Sequence, residues 1–176
     1  MLPATPTTSA SLWPSQVRLQ IMFELSMATA AACAVMAGVF FAFSAFIMTA
    51  LGNIPPSEGI RAMQRINIDV FCWPFFFLFF GLPLVSLGLG IYAIVQWSLP
   101  ESIYYLAAST VYICGSFLVT VICNIPLNDA LARVDANTES AVEAWQNYLI
   151  YWTKWNHVRA FASLAACPLF AWTAFT

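Results

Sequence analysis

The chain has 176 residues, of which 61% are hydrophobic, 16% aromatic and only 8% charged, whereas a soluble domain averages about one-quarter charged. A formal net charge of -2 and the lack of any basic cluster exclude a nucleic-acid binder. The composition reads as an integral membrane protein of one domain, with the lipid bilayer as its first partner.

Met1 to Pro14 are rich in Pro, Thr and Ser, with no Lys or Arg ahead of an apolar core. Residues 1–17 are therefore expected to be a flexible tail and not a cleavable signal. Residues 18–176 follow as a single membrane domain. Its first span is expected over about 25–51, longer than the roughly 20 residues a crossing helix needs. Along it Ser26, Ala30, Ala34, Gly38 and Ala42 recur every fourth position, a ridge that lets membrane helices approach closely. Gly52 and the Pro55-Pro56 pair end this helix. Ser57 is the expected N-cap of a short amphipathic helix, SEGIRAMQRINID. There Arg61, Arg65 and Asp69 follow at i, i+4 spacing as a solvated face. Gln64 and Asn67 stand where the second span begins, placed to hydrogen-bond into the bundle.

The second span, about 70–97, carries Pro74 and Pro83 and is expected to kink, with neighbouring helices satisfying the freed carbonyls. Its Phe75 to Phe80 run faces lipid or core. The third span is expected over about 103–123. Tyr112, Ser116, Thr120 and Asn124 recur along it every fourth residue and draw a polar line down one side. The expected role of this seam is to face the bundle interior. In the NIPLND segment, Pro126 should break the helix, with Asn128 and Asp129 capping the next one. The fourth span, about 158–175, continues an unbroken helix expected from Ser140. The fold class is thus all-α: a membrane four-helix bundle with an amphipathic helix between spans 1 and 2 and a long fourth helix extending out of the membrane.

The stretch before the last apolar run, WQNYLIYWTKWNHVR, is the best candidate site. At about 100° per residue, Trp145, Tyr148, Trp152, Asn156, Arg159 and Ser163 share one face, with Trp155 at its edge. An arginine and an asparagine carried into an apolar helix are costly unless they meet a cavity or a partner. The alternative is simple interfacial anchoring by Trp, Tyr, Lys and Arg.

Arg61, Arg65, Arg133 and Lys154 fall in the first and third connections, with Arg159 at the same boundary and Arg18 alone opposite. The positive-inside rule puts both termini outside the cytoplasm, in what is expected to be a bacterial inner membrane. The five cysteines form no C-x-x-C pair and read as small buried hydrophobes. His157 is the only histidine, which excludes bis-histidine haem and centres needing two or three histidines. No metal and no cofactor is expected, with single-histidine haem or metal ligation left open. Sparse intramembrane charge and no internal repeat argue against a transporter or channel.

Together, AMQRIN (Ala62 to Asn67), NIPLNDAL (Asn124 to Leu131) and WQNYLIYWTKWNHVR (Trp145 to Arg159), each beside a membrane span, resemble the anthrone oxygenase-like family of small four-helix membrane proteins. Many bacterial members were first catalogued only as a domain of unknown function. The resemblance implies oxygenation of a small lipophilic aromatic substrate with molecular oxygen. An anthrone is a tricyclic phenol with an acidic methylene, and its carbanion can pass an electron to oxygen without a metal. Such a site needs a base, donors for the enolate oxygen and a dry flat pocket.

Arg159, Asn156 and Asn124 are the candidate donors, and Trp152 and Trp155 the candidate plates of a sandwich. Asn128, Asn67, Tyr112 and Thr120 are the further candidate substrate contacts. His157 is the obvious base by its chemistry, yet it projects about 200° from Arg159 on the wheel. Three readings follow: the substrate lies on the far side of the helix, the base is another group such as Asp129, or His157 is an interfacial residue. The competing functional reading is a non-catalytic accessory subunit of a larger membrane complex, its aromatic surface packing on partner subunits or in a homo-oligomer.

Overall fold

The computed structural model describes residues 15–175, and among them every regular element is a helix. Helix α1 comprises Ser15–Ala42, a π-helical turn Phe43–Ile47 and a last segment Met48–Gly52. Up to residue 14 the tail expected over 1–17 lies outside the described residues, and residues 15–17 are helical. Helix α2 is Pro56–Asp69, and α3 is Trp73–Val95. Helix α4, Ser102–Ala132, holds two further π-helical segments, Ile113–Leu118 and Thr120–Asn124. Helix α5 is Ser140–Trp172.

Three of these, Gln16–Gly52, Trp73–Val95 and Ser102–Ala132, are long and apolar enough to cross a membrane. Their outward side chains fit that solvent: Phe41, Leu84, Ile94 and Ile122 are all well exposed, an arrangement that costs nothing against hydrocarbon and much against water. Helix α5 is longer than α3 but is not among them. After Arg159 only a short apolar stretch remains, and Asn156, His157 and Arg159 sit at its start.

Local chemistry moves several boundaries from their expected places. Pro55, not Ser57, occupies the N-cap of α2, and no side chain caps it. Pro56 in the first turn needs no amide partner, so the helix starts two residues earlier than a Ser57 cap would allow. Likewise α3 starts at Trp73 and not at residue 70, because Pro74 sits in its first turn. Pro83 lies within α3, which stays one helix.

Pro126 does not break α4. Its ring would clash with the carbonyl four residues back, and the π-helical turn Thr120–Asn124 directly before it widens the backbone there, so the helix runs on to Ala132. Asn128 therefore lies inside a helix and caps nothing. The unbroken helix expected from Ser140 is present.

Helix α5 packs against α1 and α4, while α3 packs against α4 and α1. Of the small-residue ridge on α1, Ser26 and Ala30 are buried, but Ala34 and Gly38 face outward. The buried α1 face is instead Cys33, Met36, Ala37 and Phe40. Closest approach occurs elsewhere: a Cβ at Gly115 would stand 2.6 Å from the Ala162 Cβ, so glycine there sets the α4–α5 spacing.

The interior divides into two apolar clusters. One gathers Cys33, Met36, Phe40, Phe79, Leu89, Tyr105 and Phe170; the other gathers Met48, Ile60, Met63, Leu131, Trp145, Tyr148 and Trp152. Helix α2 closes the second cluster from the side. Gln64 Nε2 donates to the Leu131 and Val134 carbonyls at 2.9 and 3.0 Å, and Arg61 donates to Asn137. These bonds put the first and third connections at the same end of the molecule. Gly59 admits the Trp145 ring, since a Cβ there would lie 2.8 Å from both that ring and the Leu51 carbonyl. Arg65 and Asp69 pair at 2.7 Å on the exposed face of α2, where solvent screening leaves the pair little weight in stability.

Candidate functional site

A cavity of about 60 Å³ lies where the two clusters meet. Phe40 and Phe43 from α1, Met63 and Asn67 from α2, Phe75 and Phe79 from α3, Thr120 and Asn128 from α4, and Trp152 and Arg159 from α5 all reach it. Val70 and Phe71, at the non-helical junction between α2 and α3, complete the wall. The space suits a few waters and falls well short of the roughly 300–1,000 Å³ that encloses a drug-sized ligand. A three-ring ligand therefore requires the wall to move. The junction is the part of the wall least held: Phe71 is 53% exposed, and its ring meets Phe75 edge-on.

Arg159 dominates the electrostatics. It is 6% exposed, with its guanidinium carbon 4.2 Å from the Phe40 ring centroid and 4.8 Å from that of Trp152. Two aromatic faces thus hold the plane of the cation by cation–π attraction. Its Nε donates to Asn156 Oδ1 at 2.8 Å. Asn156 is itself fixed, since its Nδ2 donates to the Phe40 carbonyl at 2.7 Å and to Ser44 Oγ at 2.6 Å. Ser44 belongs to the π-helical turn of α1, so the position of the guanidinium is set through Asn156 by an irregularity in the neighbouring helix. Among the described residues no carboxylate lies within 4.0 Å of Arg159, and neither Nη donates to another side chain or carbonyl. A buried cation without a counter-charge is costly. Here its unshared donors face the cavity.

A second polar unit orients the tryptophan. Asn128 Oδ1 accepts from Trp152 Nε1 at 2.7 Å and from the Tyr148 hydroxyl at 2.8 Å. Trp145, Tyr148 and Trp152 stack in succession along α5, with centroids 5.7 and 5.9 Å apart. Burial pushes the Tyr148 phenol well above its ordinary range, so it stays a donor. Asn124 Nδ2 donates to the Trp152 carbonyl at 3.2 Å, while its buried Oδ1 has no partner among the described residues. Deeper in the same seam, Ser163 donates to Ser116 Oγ at 2.9 Å, and Thr120 bonds back to the Ser116 carbonyl at 2.8 Å.

The residues singled out from sequence therefore separate into three groups. Asn67, Thr120, Asn128, Trp152 and Arg159 line the cavity. Asn124 and Asn156 are fully buried outside its lining: Asn156 spends its amide on Phe40, Ser44 and Arg159, and Asn124 donates to the Trp152 carbonyl. Tyr112, Trp155 and His157 lie elsewhere: Tyr112 is in the core cluster, Trp155 is 40% exposed, and His157 lines an open groove with Ala34, Gly38 and Phe161. Trp155 thus forms no sandwich with Trp152, and Phe40 stands on the other side of the guanidinium. Phe40 and Ser44 carry no signal in the sequence, because a ring or an isolated serine within an apolar helix reads only as packing. Asp129, the other candidate base, is exposed and away from the cavity. No cluster of three His, Cys, Asp or Glu side chains that would hold a metal ion occurs among the described residues.

The family model described as anthrone oxygenase matches residues 73–169, more than half of the chain. The chain belongs to the anthrone oxygenase family. The match spans α3, α4 and nearly all of α5, and so takes in Asn124, Asn128, Trp152, Asn156 and Arg159. Phe40, Ser44 and Asn67, which complete the site from α1 and α2, lie ahead of the segment that the anthrone oxygenase model covers. No curated protein and no solved structure matches the chain.

Proposed function

We propose that this member of the anthrone oxygenase family is a four-span membrane oxygenase acting on a flat lipophilic aromatic substrate at the Arg159 cavity. The observation that carries the reading is the buried guanidinium, against the Phe40 and Trp152 rings, with free donors toward a mostly apolar chamber that offers it no other charge. Such donors stabilise negative charge far better there than in water. For an anthrone, the charge is that of the enolate formed when the methylene loses a proton. The enolate gives one electron to O2, the two radicals combine as a peroxide anion at that carbon, this takes up a proton from water equivalent to the one first lost, and loss of water with the second C–H proton leaves a carbonyl. One oxygen atom ends in the quinone and the other in water. The apolar rings of Phe43, Phe75 and Phe79 supply a dry, flat surround.

The C-terminal part of α5 is the fourth span, closing a four-helix bundle with α1, α3 and α4. Arg61, Arg65, Arg133 and Lys154 share one end through the α2 contacts, so the positive-inside rule assigns that end to the cytoplasm and both termini to the outside of a bacterial inner membrane. The Arg159 cavity then opens near the inner leaflet, beside the Val70–Cys72 junction, where a lipophilic substrate dissolved in the bilayer arrives.

Purified protein in nanodiscs, supplied with a hydroxylated anthrone, should consume one O2 per quinone formed, well above the rate in empty discs. No acceleration with any of a panel of anthrones, together with migration only inside a larger membrane complex, would overturn this reading in favour of an accessory subunit.

A further inference from the structure

Among the described residues the chamber holds a fixed cation and no base. Its polar lining is Asn67, Thr120, Asn128, the Trp152 indole and Arg159, and none of the first four accepts a proton near neutral pH. The titratable groups on the surrounding helices are all turned away or committed. On α2, Arg65 and Asp69 pair with each other on the exposed face. Cys72 at the head of α3 is exposed, and on α4 Cys123 and Asp129 lie outside the cavity lining. On α5, Tyr148 donates to Asn128, while Lys154 and His157 occupy the outer faces. Helix α1 brings only apolar side chains, Val39, Phe40 and Phe43, to the cavity, while Ser44 accepts from Asn156 and lines the outer groove beside His157.

A proton released inside this chamber would pass to water beside an unpaired guanidinium, a like-charge contact in a poorly solvated place. We infer that the site takes its ligand already ionised, as a phenolate or enolate formed at the membrane surface, and selects among aromatics by their own acidity. The inference rests on the Arg159 cavity being the substrate site. An arriving anion supplies the counter-charge that the fold itself withholds from Arg159, and a neutral ring of the same shape does not. The pH dependence of binding then belongs to the ligand: affinity rises roughly tenfold per pH unit below the ligand's own ionisation midpoint and is level above it.

The test uses 4-nitrophenol and its methyl ether, 4-nitroanisole, with the protein in nanodiscs; a single ring asks less of the wall than three. Arg159→Met discs serve as the blank for partition into lipid. The expected result is Arg159-dependent binding of 4-nitrophenol with phenolate absorption, even below the midpoint of the free probe. The preference over 4-nitroanisole should be about ten- to hundred-fold. A bound spectrum of the neutral phenol, or equal Arg159-dependent binding of the ether, would overturn the inference. Anion-selective binding without oxidation of any anthrone would uphold the inference and sink the oxygenase reading. Oxidation whose pH profile stays fixed when substrates of different acidity are compared would do the reverse.

Discussion

Arg159→Met is expected to lower quinone formation by about 10²–10³-fold, the cost of removing one donor set from a developing oxyanion, while leaving the fold as stable as before or more so. The two effects have opposite signs for one reason. Arg159 is buried between Phe40 and Trp152 with no carboxylate within reach among the described residues. Its charge is therefore a burden on the fold, and a flexible apolar side chain of similar length removes that burden. Arg159→Lys should not restore activity. An ammonium keeps the charge but cannot lie flat between two rings while donating from Nε to Asn156. Steady-state rates with an anthrone, set beside unfolding curves in mixed micelles, check both halves. A parallel fall in activity and stability would mean that Arg159 acts only as a structural part.

Asn128→Leu is expected to give the largest loss of stability of any single polar change in the site. One oxygen, Asn128 Oδ1, accepts from both Trp152 Nε1 and the Tyr148 hydroxyl. Its removal strands two donors on side chains that are each 3% exposed. At about 1–3 kcal/mol for each unsatisfied buried donor, the total is about 2–6 kcal/mol. In a Trp152→Phe background one of those donors is already gone. The same substitution should then cost about half as much, a coupling that a double-mutant cycle in reversible unfolding would read directly. Equal costs in both backgrounds would show that the Asn128 bond to the indole contributes nothing.

Much of this architecture was written in residue spacing. A four-residue recurrence of Tyr112, Ser116, Thr120 and Asn124 is a statement about one helix face, and all four are buried. The same arithmetic on α5 grouped Trp145, Tyr148, Trp152, Asn156, Arg159 and Ser163, each of them buried, and left Trp155 at the rim, where it is exposed. It also set His157 apart from Arg159, and the two lie on different sides of α5. Periodicity of this kind does not reveal where the helix itself changes pitch. The π-helical turns at Phe43–Ile47, Ile113–Leu118 and Thr120–Asn124 have no composition of their own, yet the first presents Ser44 to Asn156 and the last carries α4 through Pro126.

Partners from distant parts of the chain were equally silent. Phe40 meets Arg159 across more than a hundred residues of sequence, and nothing in an apolar run distinguishes the ring that covers a cation from those that cover lipid. Arg61 read as part of a solvated face, yet it ties α2 to the α4–α5 connection, while Gln64, placed by its position to bond into the bundle, donates to the Leu131 and Val134 carbonyls. Short polar helices beside a membrane have several possible docking places, and the sequence of the helix alone does not choose between them.

The most direct test is an experimental structure of the protein in nanodiscs loaded with an anthraquinone, the oxidised product. The expected result places a quinone oxygen within hydrogen-bond distance of an Arg159 Nη, with the ring system against Trp152 and Phe71 displaced outward from the Val70–Cys72 junction. A quinone seated instead in the outer groove beside His157, with the Arg159 chamber closed and unchanged, would contradict the account.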